Sequence, residues 1–302
     1  MPRLFHKPVL LKEAIEFLNV RAGERYIDAT VGGGGHSAAI LKNYAEVLGI
    51  DCDPEAIKSA REYLSSACPA RRNGGPNTSW QLARGNFKDL KKIALAHGFV
   101  PVAGVLFDLG VSSYQLETGR RGFSFNLEGP LDMRMDPDLK VTAADLVNGL
   151  TQKELGELFF KFGEERYARR IARAICRERQ LKPITTCDEL AKIILRVRRQ
   201  GRFDRTHPAT RCFQALRIAV NDELNNLKAA LPQALEILKP EGRLVVISFH
   251  SLEDRIVKNF LKLAAGEGRL EILTKKPIRP TEEEIEANPR SRSAKLRAGE
   301  KK

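Results

Sequence analysis

The stretch Arg25-Tyr26-Ile27-Asp28-Ala29-Thr30-Val31-Gly32-Gly33-Gly34-Gly35-His36-Ser37 decides the fold. A short apolar run ends in an acid, four glycines follow, and a helical pattern starts at Ser37 and continues to Lys42. Strand, glycine turn and helix in this order open a β-α-β unit. The next apolar run, Val47-Leu48-Gly49-Ile50-Asp51, again closes on an acid, and Pro54 is well placed to begin a helix that lasts to Leu64. Alternation of this kind implies a parallel sheet with helices on its faces.

Working outward, an amphipathic helix over residues 9–18 precedes the unit. Residues 69–78 carry loop signals only, residues 81–83 are a candidate third strand, and residues 102–107 are a clear fourth. That strand runs into Asp108-Leu109-Gly110-Val111-Ser112-Ser113, after which the alternation stops. Residues 114–211 show loops and helical periodicity without a convincing strand, so an inserted helical domain is expected there. One or two helices over residues 212–238 lead back to a buried strand at 242–249; a strand at 270–274 and an edge strand at 293–297 complete the reading. The sheet domain is thus expected from residues 1–113 and 212–302, and the insertion from 114–211.

The chain has 302 residues, 42% hydrophobic and 29% charged, an ordinary globular balance with ample core. No apolar run approaches the roughly 20 residues of a membrane span, and the N-terminus lacks the apolar segment of a secretory signal, so a cytoplasmic protein with no membrane partner is expected. Five cysteines without a CxxC pair argue against disulfides and zinc. The net charge of +13 is uneven: residues 166–217 hold 15 Lys/Arg against 4 Asp/Glu. A patch of that density points to nucleic acid.

The glycine turn admits two ligand readings. Gly33-x-Gly35-x-x-Ala38 fits a dinucleotide fingerprint, while Asp28-x-Thr30-x-Gly32-x-Gly34 resembles the first motif of S-adenosylmethionine-dependent methyltransferases with Thr30 in place of its first glycine. Asp51, 17 residues past Gly34, suits the ribose hydroxyls of either ligand. Ligands of open α/β sheets lie beyond the carboxyl ends of the strands, which brings in Asp108, unless it only caps its own turn. Arg121-Gly122-Phe123-Ser124-Phe125 and Leu131-Asp132-Met133-Arg134-Met135-Asp136 read as a lid or as a packed loop.

Arg169, Arg170 and Arg173 share a helix with Ile171 and Ile175 and outnumber nearby acids, although Glu164 and Glu165 are placed to pair with Arg169. Arg198 and Arg199 lie on a basic arm reaching Arg202 and Phe203, and together with Arg169, Arg170, Arg173 and Arg211 they are the expected RNA contacts. His207-Pro208-Ala209-Thr210-Arg211 opens the next helix, with His207 a neighbour of its cap. In Ser248-Phe249-His250-Ser251-Leu252-Glu253-Asp254-Arg255, Ser251-x-x-Asp254 fits a capping box and leaves His250 as a substrate-side candidate.

Together these residues resemble the bacterial methyltransferase family that modifies the N4 amine of a cytidine in 16S ribosomal RNA. The resemblance spans nearly the whole chain and is most specific at residues 108–113, 121–125, 131–136, 207–211 and 248–255. It implies a class I methyltransferase, Rossmann-like α/β sheet with an inserted all-helical RNA-recognition domain, and S-adenosyl-L-methionine as cofactor. It places cofactor contacts on Gly34, Gly35, His36, Asp51, Phe87, Asp108 and Gln115; His36 and Phe87 carry no signal of their own. The partner it implies is 16S rRNA, within the small ribosomal subunit. Two residues depart from the family pattern, Tyr114 for Pro and Cys212 for Thr.

The chemistry expected is alignment of donor and amine, with Asp108 the first candidate to take the amine proton and His250 the alternative; no metal is required. Three other readings compete: an enzyme acting on another RNA or DNA, an RNA-binding assembly factor without catalysis, and a nicotinamide oxidoreductase. The last explains neither the cluster after the fourth strand nor the basic insertion.

Overall fold

The computed structural model describes residues 8–68, 79–201 and 206–302. His6 and Lys7, the loop signals at 69–78, and Arg202 and Phe203 of the basic arm lie outside the described residues. Two compact units emerge, residues 1–110 with 224–302 and residues 111–223.

The first unit is built on seven strands: β1 (Arg25–Asp28), β2 (Glu46–Asp51), β3 (Trp80–Arg84), β4 (Val102–Asp108), β5 (Leu238–Ser248), β6 (Leu270–Ile272) and β7 (Lys295–Lys301). Their order is β3-β2-β1-β4-β5-β7-β6, parallel from β3 to β5, with β7 antiparallel to both of its neighbours. This is the open, mostly parallel Rossmann-like α/β sheet expected from the sequence. The 293–297 segment is not an edge strand, however: β7 sits between β5 and β6, and its Leu296 and Ala298 are fully buried, so β6 forms the edge.

Both faces of the sheet are covered, which is why β4 reads as an almost continuous apolar run. Side chains alternate along it: Val105 and Phe107 join Ile27, Leu48 and Leu244 on one face, whereas Leu106 joins Tyr26, Val47 and Val245 on the other. Strand order reverses at β1, which lies between β2 and β4. Ligand sites form at such a reversal, and the carboxyl ends of these three strands carry Asp28, Asp51 and Asp108.

The second unit is helical. Ala143–Gly149, Gln152–Gly163, Ala168–Glu178, Cys187–Val197 and Thr210–Asn221 surround one apolar cluster that includes Phe159, Ile171, Leu190 and Leu216. Thr142, Thr151 and Thr186 each begin a helix in a capping box with the acid three residues on, so the starts of these helices are written locally. An isolated bridge between Pro130 and Thr186 is the β-pairing within this unit among the described residues. Thr210–Asn221 packs here and not with the sheet, since Gly163 approaches so closely that a Cβ there would lie 2.5 Å from the Arg211 carbonyl oxygen. The division therefore falls after Glu223 instead of at 211, and before Val111 instead of at 114.

The arginine loops are internally braced. Arg121 donates to the carbonyls of Arg134 and Met135, and Arg134 donates to both carboxylate oxygens of Asp132 and to the carbonyls of Pro137 and Leu139. With Phe123, Leu131 and Met133 buried, this segment is the packed loop of the two readings.

Candidate active site

Within the sheet unit, the turn after β1 is held from both sides. Asp28 is buried; one of its carboxylate oxygens accepts the Thr30 N–H at 3.3 Å and the other accepts the Ser37 hydroxyl at 2.7 Å. Asp51 reaches across from β2, accepting the Gly32 N–H at 3.0 Å and the Asp53 N–H at 2.9 Å. Gly34, at φ +83, supplies the left-handed conformation that lets the chain enter the helix Gly35–Leu41, and a Cβ there would also press on Leu64 at 3.3 Å. Burial drives the carboxyls of Asp28 and Asp51 up to about 6 despite these hydrogen bonds.

Asp108 ends β4. Its N–H donates to the Thr30 hydroxyl at 2.7 Å, so the threonine that stands where the methyltransferase motif has glycine ties the turn to β4. One carboxylate oxygen, Oδ2, lies 3.6 Å from Nδ1 of His36. The other, Oδ1, is buried with no hydrogen-bond partner. Burial, reinforced by the negative charges of Asp28 and Glu253, holds this carboxyl well above the usual range. A buried acceptor left unpaired is costly and uncommon, and this one fits a site that receives a donor or a cation from its ligand. His36 itself is buried, with Nε2 3.1 Å from the Val9 carbonyl oxygen. That segment is fixed in turn by Leu10, at φ +50, whose N–H donates to Glu284 at 2.7 Å.

Phe87, in the short turn Phe87–Asp89 after β3, packs edge-on against Phe107 of β4 with ring centroids 5.7 Å apart. His250 has a structural task that its position alone does not announce. It is the cap of the helix Ser251–Gly266: its Nδ1 accepts the Glu253 N–H, while Glu253 Oε2 accepts the N–H groups of Phe249 and His250. The capping box is thus His250 with Glu253, not Ser251 with Asp254. Asp254 instead binds Arg297 at 2.6 Å and Lys295 at 3.4 Å, tying the helix to β7. Imidazole stands outside the usual capping set, so the motif points to the serine instead.

In the helical unit, Gln115 is buried and completes a capping box with Ser112, its Oε1 accepting the Ser112 N–H at 3.0 Å. The arginines divide into two kinds. Arg169, Arg170, Arg173, Arg199 and Arg211 are exposed; Arg170 lies over the Tyr167 ring, and Arg211 donates to the Glu164 carbonyl at 2.8 Å. Arg198 is instead largely buried and paired at 3.2 Å with Glu165, which is 1% exposed. Glu165 therefore serves Arg198, not the Arg169 that helical spacing suggests. His207 accepts the Ala209 N–H and stacks on Phe125 at 4.4 Å, as befits a cap neighbour.

Thr30 and Glu253 are the site residues that motif reading passes over. Thr30 counts there only as a departure from the glycine pattern. Glu253 sits three residues after His250, the spacing of its cap partner.

Residues 3–302 match the profile of the MraW methylase family. The chain is 52% identical to the ribosomal RNA small subunit methyltransferase H of Thermomicrobium roseum, covering 98% of this chain and 93% of that one. It is 49% identical to the protein of the same name from Carboxydothermus hydrogenoformans, covering 98% and 97%. With a family match over almost every residue and relatives this similar along their full length, the chain belongs to the MraW methylase family.

Proposed function

We propose that this protein transfers the methyl group of S-adenosylmethionine to the exocyclic N4 amine of a cytidine in 16S rRNA of the small ribosomal subunit. The observation that carries the reading is the buried, unpaired Oδ1 of Asp108 beside the glycine turn of a methylase-family chain. The cofactor brings a methyl already activated on a sulfonium. Gly34 and Gly35 give its chain close approach to the backbone, and Asp51, whose two oxygens each hold one backbone N–H, keeps lone pairs for ribose hydroxyls. Phe87 and His36 line the same ends of β3 and β1.

Positioning dominates such a reaction, since attacking nitrogen and methyl must align at about 3–3.5 Å. The cytosine amine is a weak nucleophile because its lone pair is delocalised into the ring. Asp108 accepts a hydrogen bond from that amine, localises the pair and receives the surplus proton. His250 is the lesser candidate, as its Nδ1 is engaged in the helix cap. The target base enters unstacked or from a single strand, while Arg169, Arg170, Arg173, Arg199 and Arg211 contact phosphates.

Labelled methyl transfer tests the reading on small subunits lacking the modification, on free 16S rRNA and on DNA, with the product nucleoside identified by mass. N4-methylated cytidine in ribosomal samples alone is expected. Transfer to DNA, or a methyl on another atom, would refute it.

A further inference from the structure

Thr281 repeats the pattern of Thr142, Thr151 and Thr186, a threonine that starts a helix with an acid three residues on. In those three the carboxylate turns back to the threonine N–H and closes the capping box. Glu284 does otherwise. Its own N–H is held by the Thr281 hydroxyl at 3.2 Å, but its carboxylate accepts the Leu10 N–H at 2.7 Å, from a residue 274 positions away. A bond from backbone N–H to carboxylate is charge-assisted and among the stronger ones.

That bond holds the segment lying against the glycine turn. Leu10 is fully buried at φ +50, a left-handed conformation that a leucine keeps only where its surroundings impose it. Just before it, the Pro8 ring packs on Gly35 so closely that a Cβ there would lie 3.2 Å from Pro8 Cγ and Cδ. The Val9 carbonyl oxygen lies 3.1 Å from Nε2 of His36. A carbonyl only accepts, so the imidazole donates and its orientation depends on Val9. Gly35 and His36 are both expected donor contacts.

Glu284 acts from a fixed base. Ile278 and Leu296 exchange both backbone hydrogen bonds, at 3.0 and 2.9 Å, which closes the residues between them into a loop. Leu296 pairs with Ile247 of β5, and Ile247 pairs with Asp108 of β4. The loop is therefore rooted in the row of the sheet that carries Asp108. Its Ser291 and Ala294 are buried, so it is packed down at its far end as well.

We propose that Glu284 is a positioning residue for the methyl donor: through it, the loop between Ile278 and Leu296 holds Pro8, Val9 and Leu10 against the glycine turn and sets the shape in which Gly35 and His36 meet the ligand. The inference rests on the functional reading above. Glu284 acts through the Leu10 backbone and takes no part in the transfer itself.

Calorimetric binding of S-adenosylhomocysteine to the full chain tests this. Glu284→Ala should weaken binding about tenfold, the effect of losing one hydrogen bond to a charged group. Glu284→Gln, whose side-chain carbonyl still accepts the Leu10 N–H, should stay within about threefold of the parent. Thr281→Ala loosens the same helix at its cap but leaves the carboxylate in place, and should bind within about twofold. Hydrogen exchange of the cofactor-free protein gives a second reading: in Glu284→Ala it should quicken at residues 33–38 as well as at 8–14. Parent-like binding by Glu284→Ala, a loss as large in Glu284→Gln or Thr281→Ala, or exchange that quickens only at 8–14 would overturn the proposal. Should Glu284→Ala not fold, Glu284→Asp keeps the charge one methylene short of Leu10 and should show the same loss. Failure of the parent chain to bind S-adenosylhomocysteine would count against the functional reading, while exchange at residues 33–38 would still judge the role of Glu284.

Discussion

The acids of the two units behave in opposite ways. In the sheet unit, burial raises Asp28 and Asp51 to about 6 and Asp108 well above its ordinary range. In the helical unit, the acids serve as caps and ion-pair partners that favour the charged form. A hydrogen bond from Lys182, helped by the Thr185 N–H, takes Glu189 down to about 2; the Thr142 hydroxyl lowers Asp145, and Arg134 lowers Asp132 against partial burial. Carboxylates that help the fold are held ionised, whereas those gathered at the ends of β1, β2 and β4 are held against ionisation. The second arrangement is costly for the free protein and favours a ligand that brings donors or positive charge.

The arginines sharpen the contrast, because in sequence they look alike. Arg198→Ala should be the most damaging single change to folding, since it strands buried Glu165. A loss of about 3–5 kcal/mol is expected, read as a lowered denaturant midpoint with unchanged slope; a loss under about 1 kcal/mol would make Arg198 a surface cation after all. Thr30→Val should cost about 1–3 kcal/mol by leaving the partly buried Asp108 N–H without its acceptor, and Thr30→Ser should recover most of that in the same titration.

The sign of the pH dependence also separates the units. A carboxyl at about 6 in the folded chain and 3.8 unfolded binds more protons folded than unfolded between those values. Stability contributed by Asp28 and Asp51 is therefore present below about pH 4 and falls as pH rises to about 6. Glu189, held near 2, works the other way: its contribution is full above the unfolded value and is lost as pH falls toward 2. Thermal melts of the cofactor-free protein should show a flatter pH 4–6 slope for Asp51→Asn than for the parent chain, and a steeper one would reverse the assignment. Smallest in stability is Arg169→Ala with Arg173→Ala, expected within about 0.5 kcal/mol per site. That pair should instead reduce the salt dependence of RNA binding by about one unit of slope for each phosphate no longer neutralised.

The legibility of the two units differs for physical reasons. Strands buried on both faces and turns of glycine carry their own signature, so β1, β2, β4 and the acid closing each are readable in residues 25–51 and 102–108. The position of β7 is not, because a period-2 segment does not reveal which strands it joins. Helix starts at Thr142, Thr151 and Thr186 follow a local cap, but whether an arginine faces solvent or a buried acid depends on packing across helices, as Arg198 and Arg169 show. The placement of His36 against Asp108 joins residues 72 positions apart, and nothing local announces it.

Single-turnover methyl transfer by Asp108→Asn, with cofactor saturating and small ribosomal subunits as substrate, tests the central role of Asp108 most directly. The variant should remain folded and bind cofactor, yet form N4-methylcytidine about 10²–10⁴-fold more slowly, the range associated with a lost proton acceptor. A rate within about threefold of the parent enzyme would contradict Asp108 as the group that takes the amine proton.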